Sequence, residues 1–208
     1  MKEDSLKQRL LYAAMKEFAD KGYLGASLAD IASHCKTSSA LVCYHFGTKE
    51  KLAQAVIDHL VTVVPLPRVV DPATLANEDL YRAALKKFVS DFVELFLSDK
   101  EPLCYVSPLY RHEAANLRAK SSSLHDAVLW PIFLQLEKLI AAGVPDRDPI
   151  KIRFWSLAVW NILLGYTMKD PTRVRLYYPS EMPNELFRQT AIDFIVDKVL
   201  AALRFSAG

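Results

Sequence analysis

The side chains best suited to chemistry in this chain are three cysteines and five histidines, and their spacing limits what they can do. Cys43 and His45 stand two residues apart, and on a helix such neighbours point away from each other, so they do not form a nucleophile and its base. His34 and Cys35 are adjacent but lack two further ligands at zinc-like spacing, so no metal and no other cofactor is expected. Cys104 is a lone thiol with no thiolate-stabilising cluster beside it. No set of acid, base, metal ligand and nucleophile converges, which argues against an enzyme. A different chemistry is available to Thr37, Ser38 and Ser39, followed by Ala40. Small hydroxyls at the start of a helix let its backbone come close to a partner and can serve phosphates or base edges.

The elements that position these residues follow from periodicity and caps. Leu6, Leu10, Ala14 and Phe18 recur every four residues, which predicts an amphipathic helix over 5–21 that Gly22 ends. Ser27 and Asp30 form a capping-box pattern, so a second helix begins near Leu28 and runs to about His34. A third fits Ser38 to His45, capped by Ser38 or Thr37; Gly47 breaks it, and Thr48 caps a fourth carrying Leu52, Val56, Leu60 and Val63. Two short helices joined by a tight turn and preceded by a longer one make a helix-turn-helix, whose second helix can enter a DNA major groove. In that arrangement Leu28, Ile31, Ala32, Leu41 or Val42, and Phe46 pack against Leu10, Ala14 and Phe18, leaving Thr37, Ser38, Ser39, Ala40 and Tyr44 outward.

Beyond this head, PLPRVVDP at 65–72 cannot continue a helix, because each proline lacks an N–H and clashes with the preceding turn. Helical spacing then returns over 78–98, 108–119, 124–142, 149–168 and 184–204, with no sustained alternation, so the chain reads as all-α. The expected architecture is a three-helix helix-turn-helix DNA-binding domain over 1–50 and a larger helical effector-binding and dimerisation domain over 51–208. Pro131 either kinks its helix at Trp130 or starts it. The segment 170–183 reads as a long loop with paired tyrosines, functional or a cover over the core.

The formal charge of +2 is too small to announce a nucleic-acid partner, so that inference rests on the local site. The N-terminus lacks a signal-peptide core and the cysteines lack a disulfide spacing, so the cytoplasm is expected. The most apolar run, 154–166, is shorter than the ~20 residues of a membrane span, and no membrane partner is expected.

The stretch SLADIASHCKTSSALVCYHFGTKEKLAQAV resembles the DNA-binding region of the TetR family of bacterial transcriptional repressors, the likeness covering residues 5 to about 60. Asp30, Ile31, Ala32, Tyr44, His45, Phe46, Gly47, Thr48, Lys49 and Glu50 carry it. The family's turn usually has Gly where this chain has Lys36, so either Lys36 is strained or the turn is built differently. Thr37 replaces a common Val, and Cys43 a frequent Tyr that often touches phosphate. The resemblance implies that Tyr44 and Lys49 hold the DNA backbone, that Ser27 caps and touches phosphate, and that Thr37, Ser38, Ser39, Ala40 and Leu41 face bases. Lys36 and His45 complete the expected DNA-binding set. Across 27–52 three lysines face two carboxylates, a net of +1, so affinity for a double-stranded operator should depend on dimerisation and on helix N-termini aimed at phosphate.

Residues 150–166 are apolar almost all round, and 186–203 carry an apolar stripe wider than one packing face needs. Phe154, Trp155, Leu157, Ile192, Ile195 and Val199 are therefore expected in a two-fold homodimer interface. An apolar cavity with a few polar handles is what a small hydrophobic or aromatic effector needs. Phe88, Phe92, Tyr105, His112, Trp130, Phe133 and Asn161 are the candidate lining. The full reading is a ligand-responsive, sequence-specific transcriptional regulator, most simply a repressor released by its effector. The alternative is an all-α enzyme or carrier with an N-terminal docking module.

Overall fold

A computed structural model describes residues 2–67, 75, 77–115, 124–144, 147–167 and 185–205. The segment 170–183, residues 68–72 of the proline-rich stretch and residues 116–119 lie outside the described residues. The described chain is helical, without a strand. Its contacts divide it into two compact units, residues 1–64 with 99–129, and 65–98 with 130–208. The expected 50/51 division does not coincide with these units. The fourth helix stays with the head because Leu52, Val56 and Leu60 are buried there, and the chain enters the second unit at Pro65, where the prolines begin.

The first unit is built on α1 (Lys2–Gly25), which packs against α2 (Leu28–His34), α4 (Lys49–Val63) and α6 (Val106–Ala115). α3 (Ser39–Phe46) packs between α2 and α4 in sequence and touches both. Leu10, Ala14 and Phe18 are buried together with Ile31, Ala32 and Val42. Of the alternatives Leu41 or Val42, Val42 takes the core, while Leu28, Leu41 and Phe46 are half-buried. Val63 is 40% exposed, and Val64 closes the end of α4 in its place. Gly22 does not end α1 but kinks it, with φ 71 and ψ 169, a conformation that only glycine holds without strain. A 3₁₀ turn (Leu103–Tyr105) leads into α6, and a π-helical turn (His125–Leu129) closes the unit.

The second unit contains α5 (Glu78–Leu97), α7 (Trp130–Gly143), α8 (Pro149–Thr167) and α9 (Glu185–Phe205). Asn77 caps α5, its Oδ1 accepting from the Leu80 N–H at 2.9 Å. α5 is the central element, packing on α7, α8 and α9. Its Phe92 stacks on Phe96 at 4.7 Å between ring centroids and meets Trp160 edge-on at 5.3 Å. Arg82 and Lys86 pair with Asp197 and Asp193 of α9 at 2.6 and 2.8 Å, which fixes the register of the two helices along an exposed seam. α7 begins at Trp130, immediately after the π turn. A wider i→i+5 turn is a natural neighbour for Pro131, which has no N–H to give to an ordinary helical bond.

Candidate nucleic-acid interface

The interface is assembled from three caps and one unusual turn. Ser27 Oγ accepts from the Asp30 N–H at 3.0 Å and starts α2. At the other end of α2 the Lys36 N–H reaches Ser33 O at 3.0 Å and the Thr37 N–H reaches Ala32 O at 3.0 Å. That pair of bonds is a Schellman closure, whose penultimate residue must take the left-handed conformation. Lys36 does so, with φ 55. The turn is therefore built in the usual way around a residue that is not glycine. Arg9 Nη2 donates to Cys35 O at 3.1 Å, satisfying one more carbonyl at this helix end. Lys36→Gly is expected to raise the stability of the head by about 1 kcal/mol, the left-handed penalty less the extra chain entropy of glycine. Urea unfolding followed by helix signal checks this, and a fall in the midpoint would contradict the strain assignment.

Ser38 caps α3 through the Leu41 N–H, and Gly47 stops it with φ 79. Only Val42 of this helix is buried. Tyr44 is 72% exposed, Ser38, Ala40 and Cys43 are exposed, and Thr37, Ser39, Leu41 and His45 are half-buried. One turn of hydroxyls and small residues thus stands out from the unit with an aromatic hydroxyl beyond it. Thr48 caps α4 through the Lys51 N–H at 3.3 Å, opening a second helix N-terminus just after the end of α3.

The cations are placed less simply. Lys36 and Lys51 are exposed. Lys49 is half-buried, its ammonium donating to Ala26 O at 2.6 Å and lying 4.6 Å from the Tyr23 ring centroid. That geometry ties α4 to the end of α1. Tyr23 in turn donates to Glu50 Oε1 at 2.8 Å, and burial together with this bond pushes the phenol up to about 12. Lys21 pairs with Asp30 at 3.1 Å and with Glu17, whose other oxygen meets His34 Nε2 at 3.2 Å. Hydrogen bonds from Ser27 and Lys21 hold the Asp30 carboxyl below its ordinary range. Cys43 and Lys51 are exposed beside the sequence-based set, which did not include them. Cys43 is three residues beyond Ala40 and so shares its face, and Lys51 lies in the first turn of α4.

The other expected sets are dispersed. Phe88, Phe92 and Phe133 are core residues of the second unit, 4% exposed or less, while Trp130 is 44% exposed. Asn161 is exposed, its side-chain amide donating to Leu157 O. Tyr105 and His112 belong to the first unit, where Tyr105 donates to Glu101 and His112 bonds Ala19. On α8, Phe154 and Leu157 are 62% and 45% exposed and Trp155 is half-buried. On α9, Ile192, Ile195 and Val199 are buried inside their own unit, because the stripe packs inward. Phe194 is 47% exposed instead, and Ile150 and Ile162 extend the open face of α8. Among the described residues no helix is long and apolar enough to cross a membrane.

Comparison with known proteins agrees with this geometry. The sequence profile for "Bacterial regulatory proteins, tetR family" matches residues 10–56. The chain is 25% identical over 207 residues to the HTH-type transcriptional repressor NicS of Pseudomonas putida, covering 97% of this chain and 93% of that one. It is 47% identical over 53 residues to the HTH-type transcriptional repressor Rv3405c of Mycobacterium tuberculosis, 26% of this chain and 28% of that one. Among solved structures, AibR in complex with isovaleryl coenzyme A and operator DNA superposes with a TM-score of 0.65 at 18% identity, covering 93% of this chain and 97% of that one. This last likeness is one of fold.

Proposed function

We propose that this chain is a regulator of the tetR type, a reading supported by the match of residues 10–56 to the profile of those bacterial regulatory proteins, and that it is a homodimeric, sequence-specific repressor released from its operator by a small apolar effector. The observation that carries the reading is α3 itself. One side chain, Val42, anchors it, while Tyr44 at 72% exposed and the Ser38 to Ala40 turn stand outward. A helix of eight residues held this way has an end free to enter a major groove.

In the complex, Ser38, Ser39 and Ala40 approach base edges, with Thr37 and Leu41 beside them. Tyr44 donates to a phosphate, and the N-termini of α2 and α4 add their dipoles through Ser27 and Thr48. Lys36 and Lys51 supply the exposed positive charge, while Lys49 acts by holding α4 in place. His45 supports Tyr44 from behind, the two rings 5.3 Å apart and edge-on. Two copies, related by a two-fold axis through the open face of α8, present two such helices to half-sites one helical turn apart. A DNA target places the protein's work in the cytoplasm. An effector acts by binding one head spacing better than the other. The complex of AibR with an acyl coenzyme A and operator DNA supports a fold that serves both ligands at once.

Selection from random duplexes, followed by gel shifts, tests this. Tyr44→Phe is expected to weaken binding to every duplex alike, while Ser39→Asn changes which duplex wins, by roughly 1–3 kcal/mol at the affected base pair. Equal losses on all duplexes from both variants would overturn the assignment of α3, and failure to enrich any sequence would overturn specific DNA binding.

A further inference from the structure

A cavity of about 400 Å³ lies wholly within the first unit. Small-molecule sites are of this order, roughly 300–1,000 Å³. Its wall is apolar where Phe18 of α1, Val56 and Ile57 of α4, and Leu109 of α6 meet. The polar groups come from two places, His112 and Glu113 of α6 and the last turn of α1, Lys21 to Leu24.

His112 has a defined chemical orientation. Its Nε2 lies 3.1 Å from Ala19 O, and a carbonyl oxygen only accepts, so Nε2 carries the proton. In the neutral ring Nδ1 is then an acceptor. It faces Gly22, where a Cβ would stand 2.9 Å from it, so the absence of a side chain at the α1 kink is what lets the imidazole sit here. Charge narrows the occupant further. Among the described residues, the carboxylates that line the cavity or bond its lining residues are Glu113, Glu17, Asp30 and Glu50; the ammonium groups are Lys21, already shared by Glu17 and Asp30, and Lys49 over the Tyr23 ring. Glu113 is turned to the Leu124 and His125 N–H groups. Among the described residues, four negative groups against two positive ones disfavour an anion and suit a neutral or singly cationic guest.

The same wall is tied to the DNA-binding frame. Lys21 reaches Asp30 in the first turn of α2, and Tyr23 reaches Glu50 in the first turn of α4. α2 and α4 are the helices that flank α3. We propose that this cavity is the effector site, that it takes a small aromatic or branched apolar molecule, neutral or singly cationic, whose N–H or O–H donates to His112 Nδ1, and that Lys21 and Tyr23 pass its occupancy to α3. The binding site stands on the cavity alone, whereas its consequence for DNA rests on the regulator reading.

Three probes of one shape and different charge test it on the full chain: naphthylmethylamine, naphthylmethanol and naphthoate. Calorimetry is expected to show the amine and the alcohol binding at least about tenfold more tightly than the acid. Amide shifts should centre on Lys21, Tyr23 and His112. His112→Phe should weaken the amine by on the order of tenfold, His112→Gln should retain it because the side-chain carbonyl still accepts, and Ala53→Trp, which fills the cavity, should abolish it. Preference for naphthoate, shifts centred on Phe92 and Trp160, or no binding of any probe at millimolar concentration to folded protein would overturn the site. Operator affinity is measured separately, with and without the amine, and is expected to change by roughly 5–150-fold. Probe binding with unchanged operator affinity would overturn the coupling through Lys21 and Tyr23. Failure to bind any duplex, with probe binding intact, would sink the regulator reading and leave the cavity assignment standing.

Discussion

If the proposed dimer forms through α8, Phe154→Glu is expected to convert it to a monomer at micromolar concentration and to lower operator affinity by about 10²–10⁴-fold. Ile150, Phe154 and Leu157 are 79%, 62% and 45% exposed and lie four and three residues apart, so they form one apolar stripe along α8. An apolar stripe of this kind left to water is costly and marks a protein contact. In a two-fold dimer a single substitution acts twice, so each interface would have to bury two carboxylates without partners. In the proposed complex the loss in DNA binding follows because a single head carries little net positive charge and depends on two half-sites bound together. Analytical ultracentrifugation and gel shifts on the same preparation check both parts. A variant that stays dimeric with the wild-type sedimentation coefficient would show that α8 is not the seam.

Phe92→Ala is expected to cost about 3–5 kcal/mol of stability. Phe92 is fully buried, stacked on Phe96 and edge-on to Trp160, so its removal leaves a cavity among rings that cannot close on it. The same substitution separates two roles. As a core residue, Phe92 should lower the midpoint of thermal unfolding strongly while leaving naphthylmethylamine binding by the folded fraction unchanged. As a ligand-lining residue it would show the opposite pattern, a small stability change and weakened binding. Differential scanning calorimetry and titration well below the unfolding midpoint distinguish them.

The short-range signals in the sequence were strong because caps and turns are local. Ser27, Ser38 and Thr48 each start the helix that their spacing announced, and the ends of α2, α3 and α4 fall within a residue of expectation. The same locality explains why Lys36 was ambiguous: two backbone geometries can follow His34, and only the bonds from Lys36 and Thr37 back to Ser33 and Ala32 decide between them. Gly22 has the sequence signature of a stop and the structure of a kink, because a glycine at positive φ both breaks helical bonds and lets a chain resume them.

By itself, then, the sequence determined an all-α chain and a head of three helices with a capped fourth, since these follow from period, cap and turn chemistry within a few residues of one another, while the structure decided that Val42 alone anchors the third helix. Only the tertiary structure decided which aromatic residues are core and which are open. Phe88, Phe92 and Phe133 share their composition with any binding pocket, and burial is a property of what packs against them. It also turned Ile192, Ile195 and Val199 inward onto α5, left Phe154 outward, spent Lys49 on Ala26, and gathered His112, Gly22 and Lys21 from distant parts of the chain around one cavity. Such contacts join residues tens of positions apart, and no local period or spacing encodes them.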